Sequence, residues 1–434
     1  MFHLETCLPA SPFHPDRAPS VPCGHRERAS LLARLATLSV ALASVLSFFV
    51  ATKPLHAGAR FVIVNQDDPG EGLNDTSPFT AVAGNSAVTL GGARLQAVEF
   101  AAALWAQSLE SSEPIKVGVR FDPLGGSASA ATLGLSSVPE VFRDFTGAPL
   151  ALTWYLPALG DRLAGLDLSA GQSVDLELIL NSDVDGSAVL GDTTFYYGLD
   201  HNPPPGQVSL IAVAAHELVH GLGFRTFVDL ATGEKFFGYD DAFMTQLEHR
   251  GAVPPDFRSM TDAQRLAAIT AEPDLVWAGP NAPNEAGKLL SGVTLEGQPL
   301  LHAPPVPDPL SSLVHFSTSL SPNDVVEPIY SPVTDLDYCL MHALLADIGW
   351  GTHVPCGGCI GTTWINDPIL SGTVTHESCG TLIVGPEQPG GTVEVTAGAE
   401  VTLKAGLRIS LLPGFKVHSG ATLRLLIDPT AGQS

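Results

Sequence analysis

The stretch AAHELVHGLGF, residues 214–224, lies within an apolar segment and has two glycines near its end, Gly221 and Gly223. The longer segment VSLIAVAAHELVHG (208–221) has the apolar spacing of a helix. His216 and His220 are one helical turn apart, so both imidazoles would project from the same side and could share one cation. Glu217 would be rotated by about 100° from His216, where it could reach a water on that cation. The segment therefore predicts two metal ligands and a general base, and it leaves the third ligand to be found.

The residue types in this pattern are those that zinc hydrolysis requires. Zinc lowers the pKa of a bound water towards about 7, and a carboxylate beside it can take the proton and return it to a leaving amine. A chain of this composition would contain about 0.02 chance matches to HExxH. The alternative is a helix whose two histidines are satisfied by neighbouring groups.

Composition sets wide limits on the rest of the chain. Its 434 residues suffice for two or three domains with a sizeable core. The content of 45% hydrophobic and 15% charged residues is not that of a disordered protein. With 45 acidic residues against 21 basic ones and a formal charge of -24, nucleic acid is not an expected partner.

The N-terminal residues 1–57 have the features of a leader. A basic stretch precedes the apolar segment 35–51, and LHA (55–57) offers a small-residue cleavage site. We therefore expect a secreted protein with no stable membrane span after cleavage. The alternative is an uncleaved signal anchor, because 17 apolar residues are close to the minimum for a membrane span.

Residues 58–350 mix strand and helix patterns and predict an α+β domain. The segments 59–65, 115–121 and 174–180 have strand character, while 93–109 carries one apolar face at helical spacing. The segment TDLDYCLMHALLADIGW (334–350) predicts a last helix.

The sequence changes character after Trp350. Residues 351–380 form a Cys- and Gly-rich linker, and residues 381–434 contain an internal repeat in which 395–403 aligns with 417–425 at a period of 22. Short strands and regularly spaced glycines predict a small all-β solenoid-like repeat domain, with an ordinary β-meander as the alternative.

Four cysteines remain once the leader is removed: Cys339, Cys356, Cys359 and Cys379. An even number in an exported chain favours disulfides. A zinc site at the CxxC of 356–359 is the weaker alternative, since no second CxxC follows.

At HELVHGLGF the chain resembles the zincin metallopeptidases, in particular the metzincin branch with the pattern HExxHxxGxx(H/D). Gly223 matches the glycine of that pattern, but Thr226 occupies the position of the third ligand and is a poor zinc ligand. The compact form of the motif is therefore incomplete in this chain.

The leishmanolysin-like peptidases, which place a long insertion before the third histidine, offer a closer resemblance. The segments SSLVHFSTSLSPNDVVEPIYSP (311–332) and LLADIGW (344–350) are similar to the segments that follow such insertions. This resemblance implies that His315 is the third zinc ligand. The resemblance also places Val326 where the family has the methionine of a turn beneath the metal. Tyr330 lies just beyond this position, either as an oxyanion stabiliser or as a packed surface side chain.

The same resemblance implies a zincin-like fold for residues 58–350. In that fold the strand within VDLELILNSD (174–183) would be the edge of the sheet, along which an extended peptide substrate adds by main-chain pairing.

Other metal ligands remain open at this stage. The alternatives to His315 are His201, His249 and His302, and a carboxylate from Asp240 or Asp241. The acidic segments 65–75 and 182–192 could bind calcium, but Thr194 stands where an EF-hand loop starting at Asp183 requires glutamate. Solvated turns are the simpler interpretation of both.

Together these features predict a secreted zinc-dependent endopeptidase that acts on protein or peptide substrates. His216, His220 and His315 would bind Zn²⁺, and Glu217 would be the catalytic base. The alternative is a secreted binding or surface-attachment protein on a zincin scaffold with little or no turnover. The sequence does not indicate an oligomeric state.

Overall fold

The computed structural model describes most of the chain from residue 58 to residue 427 and one N-terminal strand. The described ranges are 2–6, 58–171, 173–186, 188–200, 202–287, 289–331, 339–352, 362–378, 381–386, 391–405 and 408–427. Several features named above lie outside these ranges: the apolar leader segment 35–51, His201, Cys356, Cys359 and Cys379. The disulfides therefore remain a prediction. Cys339, the only one of the four within the described residues, is buried.

The larger part of the chain combines helices with mostly short strands. Its helices are α1 (Leu90–Ala106), α2 (Pro157–Ala164), α3 (Leu210–Leu222), α4 (Asp262–Ala268), α5 (Ala282–Ala286) and α6 (Cys339–Ile348). Its strands are β1 (Phe2–Thr6), β2 (Phe61–Asn65), β3 (Leu109–Glu110), β4 (Ile115–Asp122), β5 (Ala131–Ser137), β6 (Thr153–Trp154), β7 (Leu176–Asn181), β8 (Thr194–Tyr196), β9 (Gln207–Ser209), β10 (Asp240–Asp241), β11 (Leu247–His249), β12 (Leu275–Trp277) and β13 (Gly351–Thr352). The helix expected at 93–109 and the strands expected at 59–65, 115–121 and 174–180 are confirmed within a few residues at each end.

One mixed five-stranded sheet supports the rest of this part, with the order β1-β5-β7-β4-β2. Strands β2, β4 and β7 run parallel to one another, and β5 runs antiparallel to β7. Helices α1 and α3 pack on each other, and α3 also packs on β5 and β7. The indole Nε1 of Trp105 on α1 donates to the carbonyl of Ala215 on α3 over 3.1 Å, which fixes the two helices together.

The prediction that the strand at 174–180 forms the sheet edge is wrong. Strand β7 lies between β4 and β5, and both of its edges are paired. Its consecutive residues Leu178, Ile179 and Leu180 are all buried, as expected of a strand covered on both faces. The strand beyond it is β5, whose outer edge pairs in parallel with β1.

The C-terminal strands form a separate all-β region with its own buried core. They are β14 (Thr362–Ile365), β15 (Ile369–Leu370), β16 (Thr373–Ser378), β17 (Thr381–Val384), β18 (Val393–Val395), β19 (Glu400–Ala405), β20 (Arg408–Leu411), β21 (Phe415–Val417) and β22 (Thr422–Ile427). Three successive passes of the chain each add one parallel strand to each of three sheets, β14-β17-β20, β15-β18-β21 and β16-β19-β22.

The pairing of these strands uses the spacing seen in the sequence. Val401 pairs with Leu423 and Val395 with Val417, both at an offset of 22 residues. The first pass, β14 to β16, lies within residues 351–380, which the sequence pattern assigns to a linker. This pass is difficult to recognise because the side chains of 373–377 on β16 are half-buried or exposed.

Among the helices that the structure describes, none has both the length and the apolar character needed to cross a membrane.

Candidate metal centre

Helix α3 carries the HExxH residues through the centre of the domain. The Ser209 hydroxyl caps its first turn by accepting the Ala212 N–H over 3.3 Å. All thirteen helical residues are buried, so packing around the helix stabilises it on every side. The helix ends at Leu222, and the φ of 125° at the following Gly223 is accessible mainly to glycine and turns the chain away from the helix axis.

The structure brings His315 to the two helical histidines, although it lies 95 positions after His220. The Nε2 atoms of His216 and His220 are 3.0 Å apart, and those of His216 and His315 are 3.1 Å apart. All three side chains have 0% of their surface exposed. The three imidazoles therefore converge on one point inside the protein.

Backbone carbonyls hold the outer nitrogen of each imidazole. The Nδ1 of His216 bonds to the carbonyl of Val325 over 2.6 Å, that of His220 to Phe224 over 2.8 Å, and that of His315 to Ser311 over 2.8 Å. Because a carbonyl can only accept, we assign the proton of each neutral ring to Nδ1. Each Nε2 then carries a lone pair, and the three lone pairs are directed inward.

Three converging lone pairs would repel one another unless a cation lies between them. Zinc bound tetrahedrally at about 2.05 Å from each nitrogen would hold the nitrogens about 3.3 Å apart, close to the separations seen here. Burial lowers the pKa of His216 to about 4 and that of His220 well below its usual value, which keeps both imidazoles neutral near pH 7. The residues present therefore fit a three-histidine metal site.

The Glu217 side chain extends from α3 to strand β5 and is fully buried. Gly134 of β5 provides the space for it: a methyl group there would lie 3.0 Å from Glu217 Cγ, 3.1 Å from Val213 Cγ1 and 3.4 Å from Glu217 Oε1. The absence of a side chain at Gly134 thus sets how closely the carboxylate can approach the sheet.

Gly134→Ala is therefore expected to displace Glu217 while leaving the three histidines in place. If the chain cleaves peptide bonds, as the sequence predicts, cleavage should fall by about tenfold to a hundredfold, the usual effect of shifting a catalytic group by a fraction of an ångström to an ångström. Zinc content, measured by elemental analysis, should stay at the wild-type level. Gly118→Ala on β4 is the matched control, because the atoms nearest to its methyl would be the flexible amide end of Gln66. Equal activity in both variants would contradict this role for Gly134.

The DVVEP segment (324–328) contacts the histidine cluster. Besides the bond from His216 to the Val325 carbonyl, the Phe316 N–H donates to the Val326 carbonyl over 3.0 Å. The Val326 side chain is 0% exposed. The DVVEP segment therefore connects His216 with Phe316, the residue that follows His315.

The alternative ligands occupy other positions. Asp241 accepts bonds from the Thr226 hydroxyl at 2.7 Å, the Phe227 N–H at 2.9 Å and the Met244 N–H at 2.7 Å, so it anchors the chain that leaves α3. Asp240 pairs with Lys235. Within the described residues, the cluster that could hold a metal comprises His216, His220 and His315 and includes neither His249 nor His302.

Tyr330 lies at the beginning of α3. Its hydroxyl oxygen accepts the Ser209 N–H over 3.0 Å, at the cap of the helix. At about 1.5 Å of rise per residue, this is about 10 Å along the axis from His216. In this conformation Tyr330 supports the helix terminus, and its role as an oxyanion stabiliser remains a prediction.

The two acidic segments considered for calcium are bonded to protein donors. Asp67 accepts the N–H groups of Leu73 and Phe121, each over 2.7 Å. Asp185 pairs with the buried guanidinium of Arg94 over 2.9 Å. These carboxylates hold loops and a helix in place.

A cavity of about 510 Å³ is lined by segments that neighbour the candidate ligands in the sequence, and its lining includes neither the three histidines nor Glu217. One wall is formed by residues 225–231, which follow Phe224 in the sequence, and the other includes Ser312 and Val314, which precede His315 in the sequence. The segments that hold the outer nitrogens of His220 and His315 thus also form this cavity.

The sequence matches no protein-family model, and neither a curated protein nor a solved structure matches the chain.

Proposed function

We propose that the protein is an exported zinc-dependent endopeptidase. The observation that carries this proposal is the convergence of three buried Nε2 atoms, two of them from the helix that also carries the buried Glu217. Three protein ligands leave a fourth position for water or substrate, which distinguishes a catalytic zinc site from a closed structural one.

Each residue of the site has a defined part in hydrolysis. His216, His220 and His315 would hold the zinc, which when bound supplies Lewis acidity and lowers the pKa of water. Glu217 would accept the proton of the attacking water and return it to the leaving amine nitrogen. The carbonyls of Val325, Phe224 and Ser311 keep the three imidazoles in the tautomer that binds metal.

The surroundings of the site suit an extended peptide. Strand β5 carries Gly134 beside Glu217, and its outer edge pairs with β1 in the full chain. Removal of the predicted leader, residues 1–57, would open this edge for main-chain pairing with a substrate. The cavity lined by residues 225–231 is large enough to take a substrate side chain and is walled mainly by apolar groups such as Phe227, Leu230 and Val314.

Casein digestion by the purified protein tests this function. We expect cleavage that 1,10-phenanthroline stops and that added zinc restores. Cleavage that persists in metal-free protein would contradict the proposal. So would a fully zinc-loaded protein that cleaves no protein or peptide, and that outcome would favour a binding role on the same scaffold.

A further inference from the structure

His315 comes from a segment without regular secondary structure, so its position depends on the hydrogen bonds around it. The His302 N–H donates to the His315 carbonyl over 2.8 Å, and the Leu313 N–H donates to the His302 carbonyl over 2.9 Å. The Ser317 N–H also donates to the Leu300 carbonyl, over 2.9 Å. Residues 300–303 thus run alongside residues 313–317 as a short ribbon.

One carboxylate joins the two sides of this ribbon. Glu272 Oε1 accepts the Ser317 hydroxyl, and Oε2 accepts the Ala303 N–H over 3.2 Å. The backbone N–H of Glu272 donates to the Ala303 carbonyl over 3.0 Å, which fixes the carboxylate relative to the ribbon. Ser317 is 0% exposed and lies two residues after His315.

We propose that Glu272 is a positioning residue for the third metal ligand. By holding Ser317 and Ala303 together, its carboxylate sets the place of His315 relative to the two histidines of α3. A hydrogen bond to a carboxylate is stronger than one between neutral groups, so this bond contributes more than the ribbon's backbone bonds taken one by one. The inference rests on the proposed zinc site, and it adds a residue that contacts neither metal nor substrate.

Zinc affinity is the quantity that this role should change. Loss of an outer partner that orients a ligand typically weakens metal binding about tenfold to a hundredfold. We therefore expect Glu272→Ala to weaken zinc binding by about that factor. Glu272→Gln, which keeps an acceptor oxygen for Ser317, should recover most of the loss. Ser317→Ala, which removes only the donor, should reproduce part of it.

The experiment titrates each metal-free full-length variant with zinc chloride against a chromophoric chelator. The absorption spectrum of the cobalt-substituted protein reports the ligand geometry independently of activity. Glu248→Ala on β11 is the matched control, since this half-buried glutamate pairs through its backbone with Val276 on β12, outside residues 300–303 and 313–317. It should bind zinc as the wild type does.

Wild-type zinc affinity and an unchanged cobalt spectrum in Glu272→Ala would overturn the proposal. Equal losses in Glu272→Ala and Glu272→Gln would also overturn it, because they would indicate a charge effect and not a hydrogen-bonded position. If Glu272→Ala does not fold, Ser317→Ala decides, and unchanged affinity in that variant contradicts the proposal. A weakened Glu272→Ala in a protein whose wild type binds zinc but cleaves nothing would support the positioning role and reject the peptidase function.

Discussion

Glu217→Gln is expected to bind zinc as the wild type does and to lose most of its peptide-bond hydrolysis. The three histidines are unchanged in this variant, and glutamine has nearly the same shape as glutamate. It cannot accept the proton of the attacking water, however, and general-base catalysis typically contributes about 10²-fold to 10⁴-fold. The loss should appear in kcat and in kcat/KM alike, because the proton is transferred in the transition state.

The measurement is the rate of cleavage of a casein-derived peptide by zinc-loaded protein. Glu99→Gln on α1 provides a control with the same substitution in a helix outside the site. If Glu217→Gln retained more than about a tenth of the wild-type rate, Glu217 would not be the base.

His315→Ala is expected to remove the metal from the purified protein. Two histidines do not complete a catalytic zinc site, so the affinity should fall by more than the hundredfold typical of losing an outer partner. At a zinc concentration about 100 times its dissociation constant, the wild type should gain about 2.7 kcal/mol of stability from the metal. The variant should lose most of that gain.

Thermal unfolding with and without zinc, followed by circular dichroism, measures this difference. His249→Ala is the control, because His249 is an alternative candidate for the third ligand and does not belong to the cluster. This variant should keep a zinc-dependent rise in Tm. A retained rise in His315→Ala, or a loss in the control, would show that the third ligand has been assigned wrongly.

Parts of the site that depend on local spacing could be predicted from the sequence. His216, Glu217 and His220 lie on one helix, whose 3.6-residue period alone places the two imidazoles on the same side. His315 could be nominated only through a family resemblance, since a separation of 95 residues contains no spacing signal. In the structure the Nε2 atoms of His315 and His216 are 3.1 Å apart.

Features that depend on tertiary contacts were not accessible from the sequence. The carbonyls of Val325, Phe224 and Ser311 orient the imidazoles, but every residue has a carbonyl, so no residue type marks them. Glu272 is likewise one carboxylate among 45 acidic residues.

The sheet edge was misassigned for a related reason. The alternation in VDLELIL (174–180) is typical of a half-buried strand, whereas the consecutive buried residues Leu178, Ile179 and Leu180 show that β7 is covered on both faces. Which strand is outermost depends on pairing between distant segments. The 22-residue offset of the C-terminal strands is different, because there the sequence repeat and the pairing register coincide.

X-ray absorption spectroscopy at the zinc edge tests the metal centre most directly. We predict one zinc per chain with only nitrogen and oxygen neighbours at about 2.0–2.1 Å and the multiple-scattering pattern of three imidazoles. A sulfur shell at about 2.3 Å would contradict this assignment, since it would place the zinc on cysteines such as those of the CxxC at 356–359. Purified protein that takes up no zinc at all would contradict it equally.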